Sequence, residues 1–286
     1  MRGGTYILVV ALALASAAPS CDTRRTDSLR ALSDGMKSYR DGRQTNALEQ
    51  FRESVTIDES NDLAHYYTGL LAFHQFQDKT AARRHLKKAL DLDPSQAEYH
   101  YQYAAVLQAD GDVAGAMPFL QSVLERNPKH GKAHYRMGMA RRAKGELRPA
   151  AQILMKSIEL SPRFDKAYIE LGDIYLKAGH HAEASQVLEN CTRNAPHSAE
   201  CFNEYGRALM AGENRKAAIS AFNESLSRRP DFTGALFNLG MAYRQDGDTP
   251  KAKFYLQQYL KTADRRVEGD RVTAADQIVS GMSDTQ

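Results

Sequence analysis

The sequence contains no tryptophan, only three cysteines and no strong excess of either charge. Three cysteines are too few for a scaffold built from disulfides. A formal net charge of +3 over 286 residues excludes a strongly basic nucleic-acid binder, and the lack of repeated long apolar runs excludes a polytopic membrane protein. The sequence also lacks a glycine-rich phosphate loop, a G-x-S-x-G motif, an H-E-x-x-H motif and a calcium loop. We therefore expect no enzyme activity, no cofactor and no metal.

Proline is scarce as well, but five of the nine prolines recur at intervals of 34 residues. These five are Pro94, Pro128, Pro162, Pro196 and Pro230. Three other positions keep the same interval: Gly138, Gly172, Gly206 and Gly240; Ala82, Ala116, Ala150, Ala184, Ala218 and Ala252; Leu86, Leu120, Leu154, Leu188, Phe222 and Leu256. A period of this length is the sequence signature of a repeat array.

Each repeat has the pattern of two amphipathic helices. Apolar residues recur at helical spacing over 167–175, and Gly179 then interrupts the pattern. The pattern resumes over 184–191 and ends before Pro196, which cannot donate the N–H that a continuing helix needs. Small residues at the glycine and alanine positions would allow the two helices to approach closely.

The order Tyr168, Leu171, Gly172, Tyr175, Ala184, Leu188, Cys191, Pro196 resembles the tetratricopeptide repeat family. The family's usual tryptophan is replaced at its position by Tyr66, His100, His134, Tyr168, Phe202 and Leu236. The resemblance implies an all-α fold, a right-handed α-solenoid of about seven helix pairs with a C-terminal capping helix. Seven units fit residues 29–266, although Gly69 falls one residue early relative to Ala82. Residues 267–286 are expected to form the capping helix and tail.

The N-terminal segment does not keep the repeat. Arg2, the apolar run at residues 6–14 and the small residues that follow predict a signal peptide over 1–20, with a tether over 21–28. Cys21 resembles the lipidated cysteine of bacterial lipoproteins, which implies an exported protein that is lipid-anchored in the cell envelope and faces the periplasm. Cleavage after Ala17 or Ser20 would instead release a soluble periplasmic or secreted protein.

Two cysteines flank Pro196 symmetrically. Cys191 and Cys201 each stand five residues from this proline, on either side of a predicted turn between helices. Such positions face one another, which predicts a disulfide in an oxidising compartment. The alternative is a pair of buried thiols, since both positions hold small residues in other units.

The predicted partner-binding face uses residues of the first helix in each unit. In the tetratricopeptide family these helices line the concave groove, and the position after the aromatic one points into it. That position holds Tyr67, Tyr101, Tyr135 and Phe237, and the basic residues Lys132, Arg136 and Arg142 lie nearby. The alternatives are that the rings pack as core and that the charges form a solvated face. Arg141 occupies a normally apolar position, so we expect an ion pair with Asp173.

These features favour a non-enzymatic scaffold that binds a protein or peptide partner, with an acidic segment suiting the local positive charge. Proteins of this build resemble the pilotins of type IV pilus secretins and the lipoproteins of tight-adherence pilus systems, which implies a role in pilus or secretion-system assembly. The alternatives are an adaptor that recruits cell-wall enzymes or proteases and a structural homo-oligomer. Membrane attachment would be through the N-terminal lipid, and no nucleic-acid partner is expected.

Overall fold

The computed structural model describes residues 23–282, and within this range the protein is helical without a β-strand. Its helices are α1 (Thr23–Arg40), α2 (Gln44–Ile57), α3 (Asp62–His74), α4 (Lys79–Leu92), α5 (Ala97–Ala109), α6 (Val113–Arg126), α7 (Gly131–Ala143), α8 (Leu147–Leu160), α9 (Asp165–Lys177), α10 (His181–Asn194), α11 (Ala199–Ala211), α12 (Arg215–Arg228), α13 (Thr233–Asp246), α14 (Thr249–Thr262) and α15 (Gly269–Gly281). The predicted signal peptide over 1–20 and Cys21 lie outside the described residues.

The chain divides into two compact units after Pro128. The first unit contains three helix pairs, α1–α6, and the second contains four pairs, α7–α14, followed by α15. Within each unit, the two helices of a pair pack together and successive pairs pack on one another. This arrangement confirms the predicted all-α solenoid of helix pairs. None of the helices in residues 23–282 is both long and apolar enough to cross a membrane.

The recurrent small residues let the two helices of a pair approach closely. A Cβ atom at Gly172 would lie 2.7 Å from Leu188, and one at Gly206 would lie 2.5 Å from the Phe222 ring. Leu188 and Phe222 are almost fully buried. Any side chain larger than hydrogen at these two glycines would therefore push the paired helices apart.

An extra residue in the turn between α3 and α4 explains the irregular spacing of the second pair. Helix α3 begins at Asp62, 35 residues before α5 begins at Ala97, whereas α5 and α7 begin 34 residues apart. The turn accommodates the extra residue with Gln77 in the left-handed region, at a φ of 55°. A Cβ atom at Gly69 would still lie 2.7 Å from Leu86, so the close packing of the pair is preserved. Residues of α3 therefore stand one position earlier than the 34-residue repeat assigns them.

The predicted tether over 21–28 is wrong for residues 23–28, which belong to α1. Ser28 is fully buried, and its hydroxyl donates to the carbonyl oxygen of Ser54 on α2 across 2.9 Å. This contact lies at the start of the segment 28–40, which corresponds to the 13-residue helices α3 and α5. Residues 23–27 extend α1 by five residues, and Arg24 donates to the carbonyl oxygen of Ile57 at 3.2 Å. At the other end, α15 lies within the segment 267–286 assigned to a cap, and its Val272 and Ala275 are buried beside Leu256.

Candidate functional site

The position that holds tryptophan in tetratricopeptide repeats is occupied by histidine in the second, third and fourth pairs. His100 lies with Nε2 2.9 Å from the carbonyl oxygen of Pro94, and His65 lies with Nε2 3.2 Å from that of Glu59, six residues back in both cases. The shared contact identifies His65, one residue before Tyr66, as the equivalent of His100. Each histidine thereby fixes the start of its own helix to the preceding turn.

The same one-residue change of register alters which tyrosine of α3 belongs to the predicted groove series. Tyr66, and not Tyr67, stands in the position of Tyr101, so the placement of Tyr67 in this series is wrong. The cause is the extra turn residue, which shifts α3 by one position. Tyr67 stacks on Phe51 at a centroid distance of 5.2 Å and is partly buried against the core of the first unit, whereas the Tyr66 ring lies 4.9 Å from that of Tyr99.

The other three predicted groove rings are all half-buried. Tyr135 packs edge-on against Phe164 at 5.0 Å, and Phe237 packs edge-on against Tyr259 at 5.2 Å. Tyr101 is half-buried on α5. Each of these rings therefore combines support from the protein with surface that solvent or a partner can reach, which suits a recognition residue.

Arg142, predicted as a partner-binding residue, is already engaged within the second unit. Its guanidinium contacts the carboxylates of Glu170 and Asp173 on α9, and Asp173 also accepts from Lys177 at 2.9 Å. The side chains of Arg142, Glu170 and Asp173 are only 23%, 22% and 18% exposed. Because two carboxylates compensate its charge, Arg142 links α7 to α9 and does not present a positive charge to a partner.

The predicted ion pair between Arg141 and Asp173 is wrong. Arg141 binds Glu146 at 2.7 Å, beyond the end of its own helix, and its side chain is 38% exposed. Adjacent residues of a helix point about 100° apart, so Arg142 faces α9 while Arg141 faces the turn. The exposure of Arg141 explains how a charge is tolerated at a position that is apolar in other units.

The two remaining basic residues differ in exposure. Lys132 is exposed in the first turn of α7 and borders a surface depression formed with Pro162, Arg163 and Phe164. Arg136 is half-buried on the same helix. The structure therefore does not gather Lys132, Arg136 and Arg142 into one exposed basic cluster.

A disulfide joins Cys191 at the end of α10 to Cys201 at the start of α11, with the Cα atoms 5.6 Å apart. Both cysteines are fully buried and pack against Tyr168. The cross-link closes the turn that contains Pro196. It therefore ties one helix pair to the next within the second unit.

In three other pairs, the position of Cys191 holds a serine, and these serines make the same contact. Ser157 and Ser225 donate their hydroxyls to the carbonyl oxygens of Gly131 and Ala199, at 2.8 and 2.7 Å. These carbonyls belong to the first residue of the partner helix in each pair. The disulfide thus involves the helix position that, in the pairs with a serine, joins the two helices of a pair by a hydrogen bond.

Sequence reasoning missed a buried histidine pair between α3 and α4. The Nδ1 atoms of His65 and His85 are 3.1 Å apart, and both residues are buried. The Arg84 guanidinium, which can only donate, lies 3.1 Å from His85 Nε2, so this nitrogen accepts. The Glu59 carbonyl oxygen can only accept, so His65 Nε2 donates to it. The network is therefore complete when both rings are neutral and His85 Nδ1–H donates to His65. No motif signals this pair, because the residues stand 20 positions apart.

Burial and nearby cations both oppose protonation of this histidine pair. Desolvation, followed by repulsion from His65 and Arg84, lowers the pKa of His85 to about 4. Desolvation also lowers the pKa of His65, against an opposing contribution from the Glu59 carbonyl. Both rings are therefore neutral near pH 7. Within residues 23–282, no group of three or more histidine, cysteine or carboxylate side chains is arranged to hold a metal ion.

Solved structures with the same architecture come from several sources. A tetratricopeptide repeat protein from Parabacteroides merdae aligns with a TM-score of 0.69 at 12% identity, covering 88% of this chain and 99% of that one. PilW, a widely conserved type IV pilus biogenesis factor, aligns with a TM-score of 0.63 at 19% identity, covering 71% and 94%. Pseudomonas aeruginosa PilF gives 0.61 at 18% identity, covering 75% and 97%. At these identities the likeness establishes the fold.

Comparison with curated protein sequences gives no match. Family models, in contrast, match most of the repeat region. One tetratricopeptide repeat model matches residues 74–141 and 107–159, and a second matches residues 38–97, 169–231 and 203–265. The second model alone matches more than half of the chain. The chain therefore belongs to the tetratricopeptide repeat family.

Proposed function

We propose that this protein is a non-enzymatic scaffold of the bacterial cell envelope that binds a segment of a partner protein along its first helices. The observation that supports this role most directly is that the same helix position holds a half-buried ring in both units, Tyr66 and Tyr101 in the first and Tyr135 in the second. Rigid helix pairs hold the rings in place, so little side-chain entropy is lost when a partner packs on them. Family membership supports protein–protein interaction as the general role.

The site of action is proposed from the N-terminal segment. Residues 1–20 have the pattern of an export signal, and Cys21 follows at the position where a lipoprotein would be acylated. An envelope location agrees with the Cys191–Cys201 disulfide, because disulfides persist in oxidising compartments. Mass spectrometry of the mature protein tests this part: diacylglycerol on Cys21 supports the anchor, and an unmodified N-terminus elsewhere contradicts it.

The proposed pathway is pilus or secretion-system assembly. The similarity to PilW in fold is one reason for this choice, and the combination of an export signal with a repeat array is another. Partner capture from envelope extracts distinguishes the alternatives. Secretin or pilin subunits support the proposal, whereas cell-wall synthases or proteases indicate the adaptor role and self-capture indicates a homo-oligomer.

The groove itself is tested by Tyr101→Ala and Tyr135→Ala, measured for both partner capture and melting temperature. We expect each variant to reduce capture at least about tenfold, as loss of an aromatic anchor does, with a small change in melting temperature. Phe254→Ala is the matched control, since this ring is 54% exposed on a second helix. Loss of stability without selective loss of capture would identify the two tyrosines as core residues.

A further inference from the structure

Two adjoining depressions in the second unit lie along the turns between helix pairs, and Phe164 in the first of them packs against Tyr135. One follows the α8–α9 turn and the other the α10–α11 turn, and Arg163 and Asn194 line both. We infer that together they form a docking surface for an acidic peptide segment that also carries an apolar side chain. This turn-edge surface consists of Lys132, residues 161–164 and residues 194–198, and it goes beyond the proposed function of the first helices.

Positive charge on the turn-edge surface is not compensated within the described residues. Lys132 and Arg163 are both exposed, and neither takes part in an ion pair among residues 23–282. Asp165, which lines the second depression, accepts a hydrogen bond from the Ser198 hydroxyl at 2.8 Å. A partner carboxylate between Lys132 and Arg163 would meet two cations, which favours acidic partners in both affinity and association rate.

Apolar groups lie directly beside these two cations. Pro162 and Phe164 line the first depression, and Pro196 lines the second. Phe164 is half-buried and is held edge-on by Tyr135, so part of its ring remains accessible. A segment with an aromatic or aliphatic side chain next to a carboxylate would therefore satisfy both parts of the surface.

The turns that form the surface are fixed before any partner binds. The disulfide closes the α10–α11 turn, and the Ser198–Asp165 hydrogen bond joins it to the start of α9. Arg228 donates from Nε to the Pro196 carbonyl at 2.6 Å. Because little of the backbone has to be ordered on binding, even a small contact area can contribute affinity.

The test uses the full mature chain and a short fluorescein-labelled peptide with Glu–Phe–Glu at its centre, compared with the same peptide carrying Gln–Phe–Gln. We expect saturable binding of the first peptide, with amide chemical-shift changes at residues 161–164 and 194–198. The Glu peptide should bind about tenfold or more tightly than the Gln peptide. Lys132→Glu/Arg163→Glu should weaken binding by at least a similar factor, while Lys216→Glu/Lys261→Glu, an equal change of charge on exposed lysines, should not.

Several results would overturn the inference. They are equal affinity for the two peptides, an equal effect of the control variant, and shift changes confined to the first helices. Binding to phosphatidylglycerol vesicles that depends on Lys132 and Arg163, in the absence of peptide binding, would assign the surface to a membrane instead. Tyr101→Ala should leave peptide binding unchanged, so failure of the turn-edge surface and failure of the proposed groove can be distinguished.

Discussion

At the scale of single residues, the His65–His85 pair links the stability of the first unit to pH. The folded state holds both rings neutral because they are buried and surrounded by Arg84, Lys88 and Arg52. The unfolded chain takes up protons near the ordinary histidine pKa of about 6.5. Between that value and the folded pKa of His85, about 4, the unfolded state binds more protons. The free energy of unfolding therefore falls as pH decreases through this window.

We predict that His85→Phe removes most of this pH dependence. Phe119 occupies the equivalent position in the next pair, where it packs 6.0 Å from His100, so the replacement reproduces an arrangement that the protein already uses. Between pH 7 and pH 5 the wild-type chain should lose about 2 kcal/mol more than the variant, from the shift of one histidine. Urea unfolding monitored by circular dichroism at the two pH values measures the difference. Identical pH dependence in both proteins would contradict the assignment.

Arg141 and Arg142 provide a second comparison between single residues. Arg142→Gln removes the cation shared by the partly buried Glu170 and Asp173 and leaves only Lys177 beside Asp173, so we expect a loss of about 1–2 kcal/mol. Arg141→Gln breaks an exposed pair with Glu146 and should cost less than about 0.5 kcal/mol. Urea unfolding of the two variants gives both values. Equal losses, or a larger loss for Arg141, would contradict the reported ion pairs.

At the scale of helices and helix pairs, the disulfide is the strongest local constraint. Cys191→Ser/Cys201→Ala restores residues that other pairs use: Ser157 and Ser225 at the first position, Ala167 and Ala235 at the second. Packing should therefore be retained, and the variant should lose only the cross-link. For a loop of about ten residues that loss is about 2–3 kcal/mol in the free energy of unfolding.

The measurement is urea unfolding of both proteins with and without a reducing agent. Reduction should lower the stability of the wild-type chain to that of the double variant and leave the variant unchanged. The contrary result is a wild-type free energy of unfolding that does not change with reductant although alkylation shows that the thiols have been freed. It would show that the cross-link does not contribute to stability.

Most of the helices could be predicted from the sequence, because each pair packs through its own small and apolar residues at a fixed interval. The alanine position recurs in every pair, and the glycine and proline positions recur in most of them, so together they locate both helices and turns. The interval alone could not place α3, since the spacing of Gly69 and Ala82 does not reveal whether the extra residue lies in a helix or in the turn. The location of the extra residue determines whether Tyr66 or Tyr67 is the equivalent of Tyr101.

Contacts between side chains were less predictable than the helices. Arg141 and Arg142 are neighbours in sequence, and only the orientation of α7 relative to α9 determines which of them reaches Asp173. The extension of α1 through residues 23–27 is accompanied by a hydrogen bond from Arg24 to the carbonyl oxygen of Ile57, which no local signal indicates. Side-chain contacts of this kind depend on how the helices are placed relative to one another. The repeat interval, in contrast, is visible directly in the sequence, because the same residue types recur at fixed positions.

At the scale of the whole molecule, the helix pairs carry two kinds of proposed binding surface. The tyrosine series on the first helices is proposed to hold a partner segment, and the turn-edge surface of the second unit is inferred to bind an acidic one. Repeat arrays pack mainly through neighbouring units, so a surface substitution in one pair should have little effect on the stability of distant pairs. Binding and stability can therefore be measured separately in this protein.

The central claim is that a partner contacts the tyrosine series on the first helices. The most direct measurement is photo-crosslinking in intact cells, with benzoylphenylalanine introduced in turn at Tyr101, Tyr135 and the control position Phe254. We expect a common envelope protein to be crosslinked at Tyr101 and Tyr135 and none at Phe254. Adducts at Phe254 alone, or none at either tyrosine while the protein remains folded and exported, would contradict it.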